Sequence, residues 1–328
     1  MSNDRSIVVI IPAYNVEAYL DRCIDSVLSQ DLPANQILIT DDGSTDSTGT
    51  ICDRYAAVYP QIVAEHRDNA GVSAARNAAL KKVTSRYFVF LDADDALEKH
   101  ALRSLIEEQE KSPDHFVAGD RVMIATDPDG NEKRQKRKCP VADRKVLTND
   151  EARRFLCSGE YCLQSACHKL FETKRAAGLR FCEDITNGED RLFVYEYLKR
   201  CNEVLFLAEG LWRIYSRDES ASRRAPDRKW MGMIRVMDRL AQEETDPEIC
   251  REYRRQRMDL LVLYITAYLW RGSRDRDFLR DLRGRARKEL SQYKADGASS
   301  HDTTAAWMYA YLPAVLLRIY TKLKGMEI

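Results

Sequence analysis

The stretch YFVFLDADDAL, residues 87–97, runs from an apolar segment straight into Asp92, Asp94 and Asp95. Carboxylates this close repel one another, so either a cation offsets them or they stand in open water. Asp92 and Asp94 are two residues apart at a strand end, where strand alternation points both to one side. Hard oxygen donors in that arrangement suit Mg2+ or Mn2+, ions that also favour phosphate oxygens. A D-x-D pair taken singly is equally what a solvated loop produces. Its companions decide: Pro12 and Tyr14 in PAYN, Asp41 and Asp42 in DDGSTD, Arg76 in an Ala-rich stretch, and Glu189 and Asp190 in NGEDRLF.

The elements that must position these residues alternate in type. SIVVIIPAYN reads as a buried strand closed by Pro12, whose missing N–H ends ladder pairing. Leu20, Ile24, Val27 and Leu28 then recur at helical spacing. QILIT is a second strand, and Ser44, Thr45 and Asp46 in the turn after it can cap a helix over Thr48–Val58. A strand at Ile62–His66, an Ala-rich helix entered through Gly71 and a strand at Tyr87–Leu91 follow. Such alternation predicts an α/β architecture, a mostly parallel sheet with helices on both faces. In these sheets ligands bind at the carboxyl edge, and the polar clusters after Ile11, Thr40 and Leu91 all fall there.

Farther on, the spacing predicts a helix at Ala101–Lys111, a strand at Phe116–Ala125, a hydrophilic turn and a mainly helical stretch over 150–200. Strands at Val204–Ala208 and Leu211–Tyr215 come next. From about Pro226 the chain reads as helical to its end, with Met258, Leu261, Ile265 and Leu269 on one face. The expected division is a donor-binding half over 1–115, an acceptor and catalytic-base half of the same domain over 116–225, and a helical region over 226–328.

Bulk properties exclude some classes. Lys+Arg and Asp+Glu both number 52 in 328 residues, so no global field recruits nucleic acid or a membrane. No apolar run reaches the roughly 18–20 residues of a spanning helix. The nine cysteines are odd in number and follow no secretory leader, which predicts free thiols in a reducing cytoplasm. Cys157, Cys162 and Cys167 beside His168 raise the question of zinc, but five-residue spacing without a C-x-x-C pair is not a zinc pattern.

SIVVIIPAYNVEAYLDRCIDSVLSQ, ILITDDGSTDST, NAGVSAARNAAL and YFVFLDADDAL, in this order and with these gaps, resemble the family-two nucleotide-sugar glycosyltransferases. The likeness extends through CHKLF and NGEDRLF to about Ser220, some two-thirds of the chain. It implies the GT-A fold and a divalent metal, Mn2+ or Mg2+, used with a UDP-sugar donor. It places Pro12 and Tyr14 at the nucleotide, with the tyrosine stacked on the base. Asp42 would accept a hydrogen bond from the base while Asp41 orients the turn. Arg76 would reach the nucleotide or diphosphate, Asp92 the ribose and Asp94 the metal, with Asp95 supporting them. Asp190 rather than Glu189 would take the proton from the acceptor hydroxyl, giving inversion at the anomeric carbon. The acceptor that the resemblance implies is a saccharide or lipid-linked saccharide of a bacterial surface polysaccharide.

One departure concerns the strand before Ser216. Members of that family often carry Tyr-Arg there, whereas LWRIYSRDES puts Tyr215 at the arginine's place, with Arg213 and Arg217 two residues to either side. Either arginine is a candidate to close over the diphosphate, and Trp212 and Tyr215 are candidates for the acceptor wall. Other readings of the chain are a sugar-1-phosphate nucleotidyltransferase, against which PAYNVEAYL lacks a Gly-rich phosphate loop, and a non-catalytic sugar-nucleotide-binding protein, which need not keep Asp190. EKRQKRK at 132–138 reads as a solvated basic turn or a contact for anionic lipid. Leu312, Leu316, Ile319, Tyr320 and Leu323 form a stripe for the core, a homo-oligomer interface or, with Trp307, Tyr309 and Tyr311, a peripheral membrane helix.

Overall fold

The computed structural model describes residues 5–126, 132–135, 139, 141–158, 160–215, 228–271, 275–313 and 317. The chain divides into two compact units, Met1–Asp184 with Asp190–Arg217, and Ile185–Glu189 with Asp218–Ile328.

The first unit is built on one mixed sheet. Strands β1 (Ile7–Ala13), β2 (Gln36–Asp41), β3 (Ile62–His66) and β4 (Tyr87–Phe90) pair in parallel in the spatial order β3-β2-β1-β4. Every residue of β1 and β4 is buried, as a parallel sheet covered on both faces requires. The crossovers are helices α1 (Leu20–Leu28), α2 (Thr48–Val58) and α3 (Val72–Leu80). α1 packs through Leu20, Cys23, Ile24 and Val27, the three- and four-residue spacing of a single apolar face.

Beyond β4 the sheet continues through β9 (Lys169–Glu172), which is antiparallel both to β4 and to β6 (His115–Thr126). β10 (Glu203–Tyr215) then pairs parallel to β6, with the short β5 (Ala96–Leu97) antiparallel at its end. Two reversals across β9 restore the original direction, so the carboxyl ends of β1, β2, β4 and β10 share one edge. β7 (Glu132–Gln135) pairs with β6 and β8 (Arg144–Thr148) with β10. Helices α4 (Ala101–Lys111), α5 (Asn149–Ser158) and α6 (Glu189–Leu198) complete the element order here.

The two strands expected at Val204–Ala208 and Leu211–Tyr215 are a single strand, β10, whose register against β6 shifts between Leu207 and Gly210 and again before Trp212. A side chain at Gly210 would put its Cβ 2.4 Å from Val122 Cγ2, so only glycine fits this irregularity. β9 interrupts the stretch expected to be helical; its four residues, KLFE, are too few to write a period. β8 buries only Leu147 and β7 nothing, which leaves both without an alternating signature.

The second unit carries α7 (Met231–Glu243), α8 (Pro247–Arg271), α9 (Arg276–Ala295) and α10 (Ser300–Tyr311). Met258, Leu261, Ile265 and Leu269 are buried together with Phe278 and Leu282, so the helical spacing marks a packed core. Asp275 and Ser299 cap α9 and α10 by accepting hydrogen bonds from Phe278 N and Asp302 N. Trp307 and Tyr311 are exposed and Tyr309 is buried. Arg217, Lys136, Arg137, Lys138 and the stripe residues Leu316, Ile319, Tyr320 and Leu323 lie outside the described residues. Among the described residues no helix is long and apolar enough to cross a membrane.

Candidate active site

The loops after β1 and β2 are tied together. Asn15 takes a left-handed backbone with φ of 50°; its N–H donates to Ser44 Oγ and its side-chain oxygen accepts from Thr45 N. Val16 N donates to Thr48 Oγ1, Glu17 N to Asp46 Oδ2, and Ser47 N returns a bond to Glu17 Oε2. Pro12 is buried within β1, while Tyr14 leaves 49% of its surface open on this rigid turn.

Asp41 organises the turn after β2. Its Oδ1 accepts from Ser44 N at 3.0 Å and its Oδ2 lies 2.9 Å from His66 Nδ1. Burial pushes the Asp41 carboxyl up, but the hydrogen bonds from Ser44 and His66 outweigh it and hold the group below the usual range. Those from Asp41 and then Asp53, 3.1 Å from Nε2, raise the pKa of His66. A raised histidine stabilises the fold fully below its unfolded value of about 6.5, and the contribution is lost as pH climbs through the folded value. Replacing His66 by Gln should therefore flatten the fall of the urea midpoint as pH rises above about 6.5. An unchanged slope would separate His66 from the pH response.

Asp42, expected to read the base, serves the protein's own backbone here. Its carboxylate is buried and accepts from Ala70 N at 3.1 Å and Gly71 N at 2.6 Å, with Arg67 Nε at 3.3 Å. It thereby fixes the entrance of α3, where Gly71 has φ of 91°. A base contact would have to use a remaining lone pair.

Arg76, on α3, is the centre of the arrangement. Its side chain is 4% exposed, with Nη1 2.5 Å from Asp190 Oδ1 and Nη2 2.9 Å from Asp92 Oδ1. The guanidinium stands 5.2 Å from the Phe181 ring and 5.8 Å from Phe90. The same aromatic group holds α6: Phe193, one turn after Asp190, stacks on Phe181 at 4.1 Å and meets Phe90 and Phe171 edge-on. Aromatic pairs add about 0.5–1.5 kcal/mol each beyond the area they bury, enough to fix the start of this helix. Asp190 Oδ2 accepts from Ala166 N at 3.1 Å and faces Ser165 Oγ at 3.5 Å.

The acidic knot is offset by arginines. Arg76 holds Asp92, and Arg22 Nη2 donates to the Asp94 carbonyl at 2.7 Å while its guanidinium lies 3.3 Å from the Tyr215 ring centre. Asp95 is buried and accepts from Tyr215 N at 3.1 Å. Burial, with the charge of Asp92, pushes its pKa up to about 7 against the pull of Tyr215 N, Arg22 and Arg121. Asp92 keeps 41% of its side chain exposed and Asp94 is half-buried.

Thus Tyr14, Asp42, Arg76, Asp92 and Asp94 fall on or beside the carboxyl edge, and Arg76 joins Asp92 to Asp190. Tyr215 reaches the knot from the end of β10. Trp212 does not form an acceptor wall: it is 0% exposed in the sheet core, 5.3 Å from His168. Arg213 donates to the Leu97 carbonyl at 3.3 Å and approaches Glu132. Glu189 is buried at the first position of α6. The sequence reading missed Arg22, His66, Ser165 and Ala166. Only Arg22 carried a signal, as a charged residue one turn from Tyr19 beside the apolar stripe of α1.

The carboxyl edge of the parallel strands thus gathers an exposed tyrosine, an acidic knot and, through Arg76, a tethered carboxylate. The model of glycosyl transferase family 2 matches residues 8–171, half of the chain, and the chain belongs to that family. It is 31% identical over 209 residues to the glycosyltransferase EpsJ of Bacillus subtilis, covering 62% of this chain and 59% of that one. It is also 31% identical over 241 residues to the minor teichoic acid biosynthesis protein GgaA of the same organism, covering 69% of this chain and 50% of GgaA. The chain thus spans between half and about three-fifths of the length of these curated relatives. Among solved structures, residues 1–349 of Staphylococcus aureus TarS in complex with UDP-GlcNAc superpose with a TM-score of 0.65 at 17% identity, covering 98% of this chain and 92% of that one. That likeness establishes the GT-A type of fold.

Proposed function

We propose that the chain is an inverting glycosyltransferase, moving a sugar from a nucleoside diphosphate donor, UDP foremost, to a saccharide acceptor in bacterial surface polysaccharide synthesis. The observation that carries this reading is the bridge from Asp92 through Arg76 to Asp190, which sets a donor-side carboxylate and a separate candidate base around one guanidinium. Family membership and the names of two relatives, GgaA and the UDP-GlcNAc-bound TarS, support the donor and acceptor classes.

Tyr14, half open on a braced turn, would stack on the base. Asp190, its orientation set by Arg76 and by Ala166 N, would accept the proton of the acceptor hydroxyl from the face opposite the leaving group. The donor chemistry of Asp92, partly exposed, and Asp94, half-buried, is that of a hard divalent cation, which these two carboxylates would hold. Mg2+ and Mn2+ ordinarily complete such a shell with phosphate oxygens and water. Bound there, the ion would supply charge stabilisation to the departing diphosphate.

Asp94→Ala should lose metal-dependent release of UDP from a panel of UDP-sugars, by about 10²-fold or more with Mn2+ present. Turnover that persists in Asp94→Ala, or that is indifferent to EDTA in the unaltered protein, would remove Asp94 from the metal role.

A further inference from the structure

Lys169, the first residue of β9, is fully buried, and nothing in the donor or acceptor chemistry described so far uses it. Its Nζ donates to the carbonyls of Cys162 at 2.7 Å, Ser165 at 2.6 Å and Cys167 at 3.2 Å. An ammonium has three protons, and each finds one oxygen. All three oxygens belong to the turn just ahead of β9, and that turn presents Ala166 N and Ser165 Oγ to Asp190 Oδ2. The turn is also held in sparsely populated backbone: Tyr161, Cys162 and His168 have φ of 52°, 52° and 68°, three of the four non-glycine left-handed residues among those described. Ser165 Oγ, which faces Asp190, accepts in turn from Cys167 N at 3.1 Å. Such conformations persist where surrounding contacts over-determine them, and they cluster at functional sites.

We infer that Lys169 is a positioning residue for Asp190: it gathers three carbonyls of the 162–167 turn and so aims the turn's N–H and hydroxyl at the carboxylate. The inference rests on Asp190 being the base. The strand anchors the lysine, because Lys169 is paired with Ala118 of β6 while Gly119 N donates to the His168 carbonyl at 2.8 Å. Burial lowers the ammonium's pKa to about 8, and the neutral amine, with two protons, would leave one carbonyl unmatched.

The test compares Lys169→Met with the unaltered protein. Turnover is read as UDP released from a panel of UDP-sugars with Mn2+, and donor-site integrity as calorimetric affinity for UDP. Lys169→Met should lower kcat by about 10²-fold, the scale of a misplaced catalytic group. Its UDP affinity should stay within about threefold, and the double variant with Asp190→Asn should be no slower than Asp190→Asn alone. A kcat near that of the unaltered protein overturns the inference, as does an equal loss of UDP affinity and kcat, which is what a general packing role gives. If Lys169→Met yields no folded protein by circular dichroism, Ser165→Ala decides, because it keeps the lysine and its three carbonyls and deletes only the hydroxyl. A several-fold fall in kcat at constant UDP affinity then supports the inference, and unchanged kcat overturns it. Full activity in Asp190→Asn would remove the underlying base assignment, an outcome distinct from an inert Asp190→Asn beside a fully active Lys169→Met.

Discussion

Asp190→Asn is expected to bind UDP as the unaltered protein does and to transfer almost no sugar. Asparagine keeps the shape of the side chain and an oxygen for Arg76 or Ala166 N, so α6 stays in place through Phe193 and its aromatic neighbours. What it removes is the ability to accept a proton, and a positioned general base is worth about 10²–10⁴-fold in rate. The loss should appear in kcat with little change in donor KM, as for an interaction made only in the transition state. Folding should suffer by no more than about 2 kcal/mol, since Arg76 retains Asp92. Steady-state release of UDP beside calorimetric UDP binding reads both quantities. Comparable activity in the asparagine variant would move the base elsewhere.

Arg76→Ala should be costly in two ways. The guanidinium is nearly inaccessible and holds two carboxylates that would repel without it. Removing one partner of a buried pair costs about 3–5 kcal/mol; Asp92 and Asp190 stay partly open to water, which favours the lower figure, about 3 kcal/mol. The urea midpoint should fall accordingly, and kcat should drop by about 10²-fold because Asp190 Oδ1 loses the donor that orients it. Arg76→Lys should recover part of the stability and little of the rate: one ammonium lacks the planar fork that reaches both carboxylates. Near-native stability in Arg76→Ala would mean that the bridge is a weak surface pair.

The elements nearest the site were the most legible. The helix over Thr48–Val58, the strand over Ile62–His66 and the helix over Ala101–Lys111 have the residue bounds their spacing predicted. Buried parallel strands are short apolar runs cut off by polar turns, so the carboxyl edge is written into the sequence directly. Long-range partnerships are not. Arg22 meets Asp94 across 72 residues and Arg76 meets Asp190 across 114, separations at which periodicity says nothing. Arg76 beside Asp92 and Arg22 at the Asp94 carbonyl are therefore partners of the acidic segment that spacing does not announce. Trp212 misled for another reason: an aromatic near charged residues reads as a binding wall, yet its place in β10 puts it inside the sheet. Lys169 looked like any lysine in CHKLF, because only the turn folded around it reveals its three acceptors.

The central claim is that one carboxylate, Asp190, deprotonates the acceptor on the face opposite the departing diphosphate. Proton NMR of the anomeric centre in the glycosidic product tests it most directly, with an α-linked UDP-sugar, Mn2+ and a saccharide acceptor. The account predicts a β-configured product from the unaltered protein and none from Asp190→Asn. An α-configured product would mean that the sugar passes through a second displacement, and a lone base at Asp190 could not then be the chemistry.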